Sequence, residues 1–219
     1  MKRKTFAALA AVCLVLCLIL AGCAEQNSPY PPIDTVDPAS IELETTSNDT
    51  VSVQFPAEGW SGKDGSSPLT IDYADTIGAE QQRVNISVHR SGTYSGKLTE
   101  KYLNKLMESY AESLPNVKFN SSEMRSLNGK TVILTESVSQ FTDEAIDFFL
   151  KHGSLTQEYI DSVGGRDFLL SIPPTDQITL YAVTGAYLYI YTGTYYEESQ
   201  KADVLEALTV MAQTTAEVK

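Results

Sequence analysis

The sequence predicts an α/β domain of the α+β kind, an antiparallel sheet covered on both faces, preceded by a leader and a tether. Three observations carry this. Apolar residues alternate at period two in Val51-Ser52-Val53-Gln54-Phe55 and in Val84-Asn85-Ile86-Ser87-Val88, the mark of half-buried strands. Asn128-Gly129 and Gly185-Ala186 each have the chemistry of a two-residue hairpin turn. The second hairpin is apolar on both faces, which places it centrally in a sheet with cover on each side.

The leader comes first in the chain. Lys2, Arg3 and Lys4 precede an uncharged run rich in Ala, Leu, Val and Ile, and Leu20-Ala21-Gly22-Cys23 closes it as a lipobox. Residues 1–22 therefore read as a lipoprotein signal peptide, with Cys23 as the lipid attachment point on the extracytoplasmic face of the cell membrane. An uncleaved signal anchor is the alternative, because the 19 uncharged residues from Phe6 to Ala24 approach the ~20 needed to span a bilayer. The abrupt change to Glu25-Gln26-Asn27 favours cleavage.

Removing the leader strips three of the 16 basic residues and none of the 28 acidic ones, leaving 13 against 28 and a balance of −15. Such acidity argues against nucleic acid as a partner and, taken over the whole chain, against an electrostatic grip on anionic lipid. Cys13 and Cys17 lie in the leader and Cys23 is the lipid site, so the folded part has no thiol for a disulfide, a redox motif or a thiolate metal centre. Pro29, Pro31, Pro32 and Pro38 among polar residues make 23–46 a tether, able in polyproline form to reach about 70 Å.

The domain then spans 47–219. After the strand at Val51 to Phe55, a second covers Leu69 to Asp72 and a third Val84 to Val88. Tyr102, Leu103, Leu106, Met107, Tyr110 and Leu114 form the apolar stripe of a helix from Thr99 to Leu114, ended by Pro115. The Asn128-Gly129 hairpin leads into a strand from Lys130 to Val138. Two short helices follow, Asp143 to His152 capped by Thr142 and closed by Gly153, and Leu155 to Val163 with Ser154-x-x-Gln157 as its capping box. They form a helical insertion over 141–165. Ile178 to Thr184 pairs with Tyr187 to Thr192, setting Leu180 and Ala182 beside Tyr191 and Tyr189 and Val183 beside Leu188. Thr194-x-x-Glu197 opens a last helix that buries Val204, Leu205, Leu208, Met211 and Ala212.

Phe55-Pro56 with Trp60, Asn85-Ile86-Ser87-Val88, the amphipathic helix, Leu127-Asn128-Gly129-Lys130, the Tyr-rich hairpin and the final helix together resemble the PsbP-like fold family, over about Val51 to Val210. That family includes bacterial lipoproteins. The resemblance implies a curved antiparallel sheet sandwiched between helices and a role in binding other proteins, with no shared catalytic residues to carry over. The segment from Phe141 to Gly165 departs from it.

No motif establishes catalysis. Gly92-Thr93-Tyr94-Ser95-Gly96 has its serine one place too late for a nucleophile elbow, and only His89 and His152 could serve as a base. Gly59, Gly62 and Gly65 with Lys63 lack the Walker pattern and read as a flexible loop. Asp34 with Asp37, Asp72 with Asp75, and Asp143, Glu144 and Asp147 are carboxylate groups without a calcium-loop spacing, so no metal or cofactor is expected. Half of the 12 tyrosines fall between Tyr181 and Tyr196; on strands such rows are core packing or a groove. The candidate contacts are Trp60, Tyr187, Tyr189 and Tyr191, with Trp60 either exposed in its loop or a lid on the core. The expected function is that of a non-enzymatic, membrane-anchored accessory factor binding an envelope protein. Capture or sensing of a solute in a Tyr-lined pocket is the alternative, and hydrolysis a more distant one.

Overall fold

A seven-stranded antiparallel sheet organises residues 28–73 and 83–218, those the computed structural model describes. The leader, Cys23 and Asp75 lie outside the described residues. The strands are β3 (Trp60–Lys63), β4 (Leu69–Tyr73), β5 (Asn85–Thr93), β6 (Val117–Leu127), β7 (Lys130–Ser139), β8 (Thr175–Thr184) and β9 (Tyr187–Tyr195), in the order β3-β4-β5-β9-β8-β7-β6. The apolar hairpin β8–β9 is central, as its two-sided burial demands. Its register pairs Thr184 with Tyr187, Ala182 with Tyr189 and Leu180 with Tyr191. Gly185 takes φ +59° at the turn. At the other hairpin Asn128 and Gly129 take φ 49° and 78°, the two positive values a type I′ turn needs.

Each face of the sheet has its own cover. Tyr181, Leu188 and Ile133 point to the layer of α1 (Glu100–Ser113), which packs Leu103, Tyr102, Leu106, Met107 and Tyr110 against them. Thr99 caps this helix by accepting from the Tyr102 amide. Leu180, Tyr189 and Tyr191 point the other way, under α5 (Lys201–Thr214), whose Val204, Leu208 and Met211 are fully buried. A small second sheet shares that side: β1 (Leu43–Ser47), β2 (Val51–Pro56) and β10 (Ala216–Glu217), with β2 in the middle. Val51, Val53 and Phe55 of β2 join the same core as α5. The sandwich of an antiparallel sheet between helices is thus present.

Four sequence expectations need correction. The Pro-rich stretch is a docked strap from Ser28 onward, not a free tether to residue 46. The Ser28 amide donates to Gly129 O (2.8 Å), the Ile33 amide to Ser126 O and the Ser126 amide to Pro31 O (2.9 Å each), and Leu43–Ser47 forms β1. Proline resists helices and ladder interiors, yet carbonyls and apolar rings on such a stretch still bond and pack; Tyr30 and Ile33 enter the two core clusters.

The glycine segment is also ordered, because Trp60–Lys63 is strand β3. A Cβ on Gly62 would stand 2.7 Å from Thr46 Cβ and 2.9 Å from a Phe55 ring carbon, so glycine permits the small sheet to close on β3. In the insertion, Thr156 rather than Ser154 caps α3 (Gln157–Ser162), after α2 (Asp143–Lys151), and a third helix, α4 (Arg166–Ser171), follows the glycines. Ile146, Ile160 and Leu169 give these helices a core of their own. Finally, Thr194 stays in β9, and the capping box is Glu197 with Gln200 one turn later. Extended pairing of Gln177 with Thr194 keeps that residue in the sheet.

Asp64 staples the turn after β3 to β1, accepting from Thr46 Oγ1 and from the Ser47 amide at 2.9 Å each. These bonds, the backbone one foremost, hold its carboxyl below the ordinary carboxylate value. They therefore stabilise the fold at neutral pH and are lost as pH falls through that lowered value. Melting temperature followed against pH should decline in acid more steeply for the native chain than for Asp64→Asn. Gly62→Ala should cost about 1–3 kcal/mol of stability by overpacking, measured by urea unfolding.

Candidate functional site

Where β3 and β4 leave the sheet beside the first turns of α5, an open cleft of about 760 Å³ is lined by Ile41, Pro56, Trp60 and Tyr73 and by the carboxylates Glu42, Glu58, Asp203 and Glu206. Its geometry follows from local sequence. Pro56 ends β2, and Gly59 turns the chain at φ +79° so that Trp60 starts β3 opposite Tyr73. The two rings meet edge to face, with centroids 4.8 Å apart at 61°. A Cβ on Gly59 would lie 2.9 Å from the Tyr73 ring, so the turn needs glycine twice over, for its positive φ and for this contact.

Helix α5 supplies the acidic wall. Asp203 and Glu206 lie three residues apart, on the side of the helix away from the buried Val204, Leu208 and Met211. Tyr73 donates its hydroxyl hydrogen to Asp203 Oδ2 at 3.1 Å, joining the aromatic wall to the acidic one. The strap brings Ile41 and Glu42 to the rim, where Glu42 O accepts from the Ala57 amide at 3.0 Å. Four carboxylates around two aromatic rings suit a cation: the rings attract it through their negative faces and the carboxylates through charge. Among the described residues, no group of three or more His, Cys, Asp or Glu is disposed to hold a metal ion.

The predicted contact residues do not converge on one place. Trp60 reaches the cleft but is only 6% exposed; it is a wall and lid on the core rather than an exposed loop contact. Tyr189 and Tyr191 are fully buried beneath α5, because alternate strand positions on that face are dry, and neither can offer a surface contact. The Tyr191 hydroxyl bonds Thr215 Oγ1 at 2.6 Å, and burial pushes its ionisation well above the ordinary tyrosine value. Tyr187 is half-buried at the far end of the sheet, with the Arg90 guanidinium 4.5 Å over its ring. The Tyr-lined pocket of the sequence analysis is therefore a core, and the aromatic cleft is made by Trp60 and Tyr73 instead.

Sequence reasoning missed Tyr73, Asp203, Glu206, Glu42 and Glu58 as neighbours. The i, i+3 carboxylates opposite the apolar stripe of α5 were the available signal, but nothing local joins them to β3 and β4. Other candidates separate. His89 is exposed on β5 and, among the described residues, makes no hydrogen bond to Ser95 or to a carboxylate. His152 ends α2, its Nδ1 2.8 Å from Phe148 O. Asp143 and Asp147 grip Arg166 at 2.6 and 2.8 Å, which makes them a structural clamp between α2 and α4. Asp37 accepts from the Ala39 amide at a short turn of 3-10 helix, Pro38–Ser40.

No family model and no curated protein matches the chain. Solved structures do show similarity. The solution structure of cyanobacterial PsbP (CyanoP) from Synechocystis sp. PCC 6803 aligns at a TM-score of 0.40 and 13% identity, over 80% of this chain and 92% of that one. LpqN of Mycobacterium tuberculosis, described as involved in cell envelope biogenesis, aligns at 0.44 and 10% identity, over 81% and 91%. A protein from Bacteroides thetaiotaomicron VPI-5482 aligns at 0.37 and 13% identity, over 77% of this chain and 45% of that one.

Tyr191→Phe should lower stability by about 1 kcal/mol, the worth of one buried hydroxyl bond, while leaving any binding at the cleft unchanged. Chemical denaturation alongside a binding titration reads both.

Proposed function

We propose that this protein is a lipid-anchored, extracytoplasmic binding factor of the bacterial envelope, without catalysis of its own, that holds a positively charged segment of a partner protein in the Trp60–Tyr73 cleft. The cleft carries the reading: Glu42, Glu58, Asp203 and Glu206 surround an opening of about 760 Å³ walled by two aromatic rings. A lysine or arginine side chain suits it, its apolar stem lying on the rings and its charge among the carboxylates. The lipobox ending at Cys23 supports the address. No helix among the described residues is long and apolar enough to cross a membrane, which is compatible with anchoring by lipid.

Capture of a small amine-bearing solute is the second reading, and one observation favours it: the cleft exceeds the ~300 Å³ at which ligand pockets begin. A titration with a lysine- and arginine-rich peptide, set beside a small polyamine, separates the two. Tighter binding of the peptide, weakened by salt, is expected, and an equally tight polyamine would turn the assignment to solute capture. Asp203→Asn or Glu206→Gln should each weaken binding about ten-fold, the effect of losing one charge-assisted bond worth ~1.5 kcal/mol. Failure of both probes to bind would overturn the cleft as the site. Cys23→Ser should abolish acylation and move the protein from the membrane to the soluble fraction; an unchanged mass and fraction would favour the uncleaved anchor.

A further inference from the structure

We infer that the hairpin-turn end of the sheet is a membrane-facing surface for anionic lipid, so that the acidic cleft is presented away from the bilayer. The inference rests on lipid attachment at Cys23 and is carried by where the strap docks. Ser28 is fixed at the Asn128-Gly129 turn, its amide donating to Gly129 O and its hydroxyl accepting from Thr131 Oγ1 at 3.0 Å. Only five peptide steps separate it from Cys23, a span of at most about 19 Å. The lipid site is thereby confined near that end whatever path the chain takes.

The same end gathers the Gly185-Ala186 turn and the end of β5, since the Tyr94 amide donates to Ala186 O at 2.7 Å. Between these turns lies a shallow groove of about 230 Å³ lined by Gly96, Lys97, Leu98, Lys130 and Val183. Lys97 and Lys130 are exposed on its rim, and Lys101 stands in the first turn of α1 nearby. Glu100 and Glu217 stand at this end too, but the groove itself presents two ammonium groups around apolar Leu98 and Val183. Two such ammonium groups suit a headgroup phosphate.

The cleft lies opposite. Asp72 pairs with Asn85 and Asn85 with Thr194, whereas Thr93 pairs with Tyr187 at the turn end. Along β9 those two levels are seven residues, about 24 Å, apart. Helix α5 runs the same way, with Asp203 at the cleft and Gln213 accepting from Asn128 Nδ2 at 2.7 Å at the turn end. Helices α2, α3 and α4 leave from Ser139 and return at Thr175, on the cleft's end. Charge therefore reinforces the tether: a bilayer bearing negative lipid attracts the lysine groove and repels the four carboxylates.

The test uses the acylated full chain reconstituted in vesicles of phosphatidylcholine and phosphatidylglycerol carrying an energy-acceptor lipid. Lipid blocks Cys23, so Ser95→Cys at the turn end and Glu58→Cys at the cleft each offer one reporter thiol. Several-fold more energy transfer from residue 95 than from residue 58 is expected, with the difference reduced by Lys97→Glu and Lys130→Glu together. Equal transfer, or more from residue 58, in a chain whose mass shows acylated Cys23 overturns the orientation and leaves the anchor standing. An unacylated chain that stays out of the vesicle fraction overturns both. Transfer that is unequal as expected but unmoved by the two lysine changes, or the same on phosphatidylcholine alone, overturns the lipid-binding groove and leaves orientation to the tether.

Discussion

The main sheet and its two covers are placed by the need of β8 and β9 to be dry on both faces. Leu180, Ala182, Tyr189 and Tyr191 fill one side, and Tyr181, Val183, Leu188 and Ile190 the other. A strand pair with no polar face is stable only inside a sandwich. That requirement brings α1 to one side and α5 with the small sheet to the other, and it lets five further strands extend the sheet outward. Tyrosine serves the arrangement well because its ring packs as a large apolar body while its hydroxyl reaches a partner at the margin. Tyr181 bonds Tyr110 on α1 (2.9 Å), and Tyr191 bonds Thr215 just past α5.

The cleft is a by-product of that sandwich. Helix α5 must cross the sheet to bury Val204 and Leu208, and Gly193 leaves room for both side chains to approach the strand. Its polar side then meets the edge strand β3 and its neighbour β4, beyond which the sheet has no further strand among the described residues. Edge strands commonly carry exposed polar groups; here the edge strand carries Trp60, packed on Tyr73 of β4 across the glycine at 59, and Tyr73 is tied to Asp203. The strap completes the rim with Ile41 and Glu42. One chain segment thus runs from the turn end, at Ser28, to the cleft, at Glu42.

Periodicity makes most of the fold legible in the residues themselves. The register of β8 with β9, the positive φ values at Asn128 and Gly129, and the cap at Thr142 all depend on interactions within a few residues or on hydrogen bonds between chain neighbours. Signals failed where two local options were equally good. Thr156 and Ser154 can both cap, and the winner is set by how α3 packs Ile160 against Ile146 and Leu169. Proline at 29, 31, 32 and 38 forbids regular structure locally, but docking at Gly129 and Ser126 is a long-range event that composition does not encode.

The sequence by itself determined the acidic balance, the confinement of all three cysteines to the first 23 residues and the central antiparallel hairpin between helices. Each is written in residue type and short spacing, where propensity and period act. Only the tertiary structure decided which aromatics are walls and which are core. Burial depends on what lies above a strand face, so Tyr189 and Tyr191 vanish under α5 while Trp60 and Tyr73 meet four carboxylates from three separate segments. Asp203 and Tyr73 are 130 residues apart in the chain and 3.1 Å apart in space; the crossing of α5 over the sheet, which the burial of Val204 and Leu208 enforces, is what brings them together.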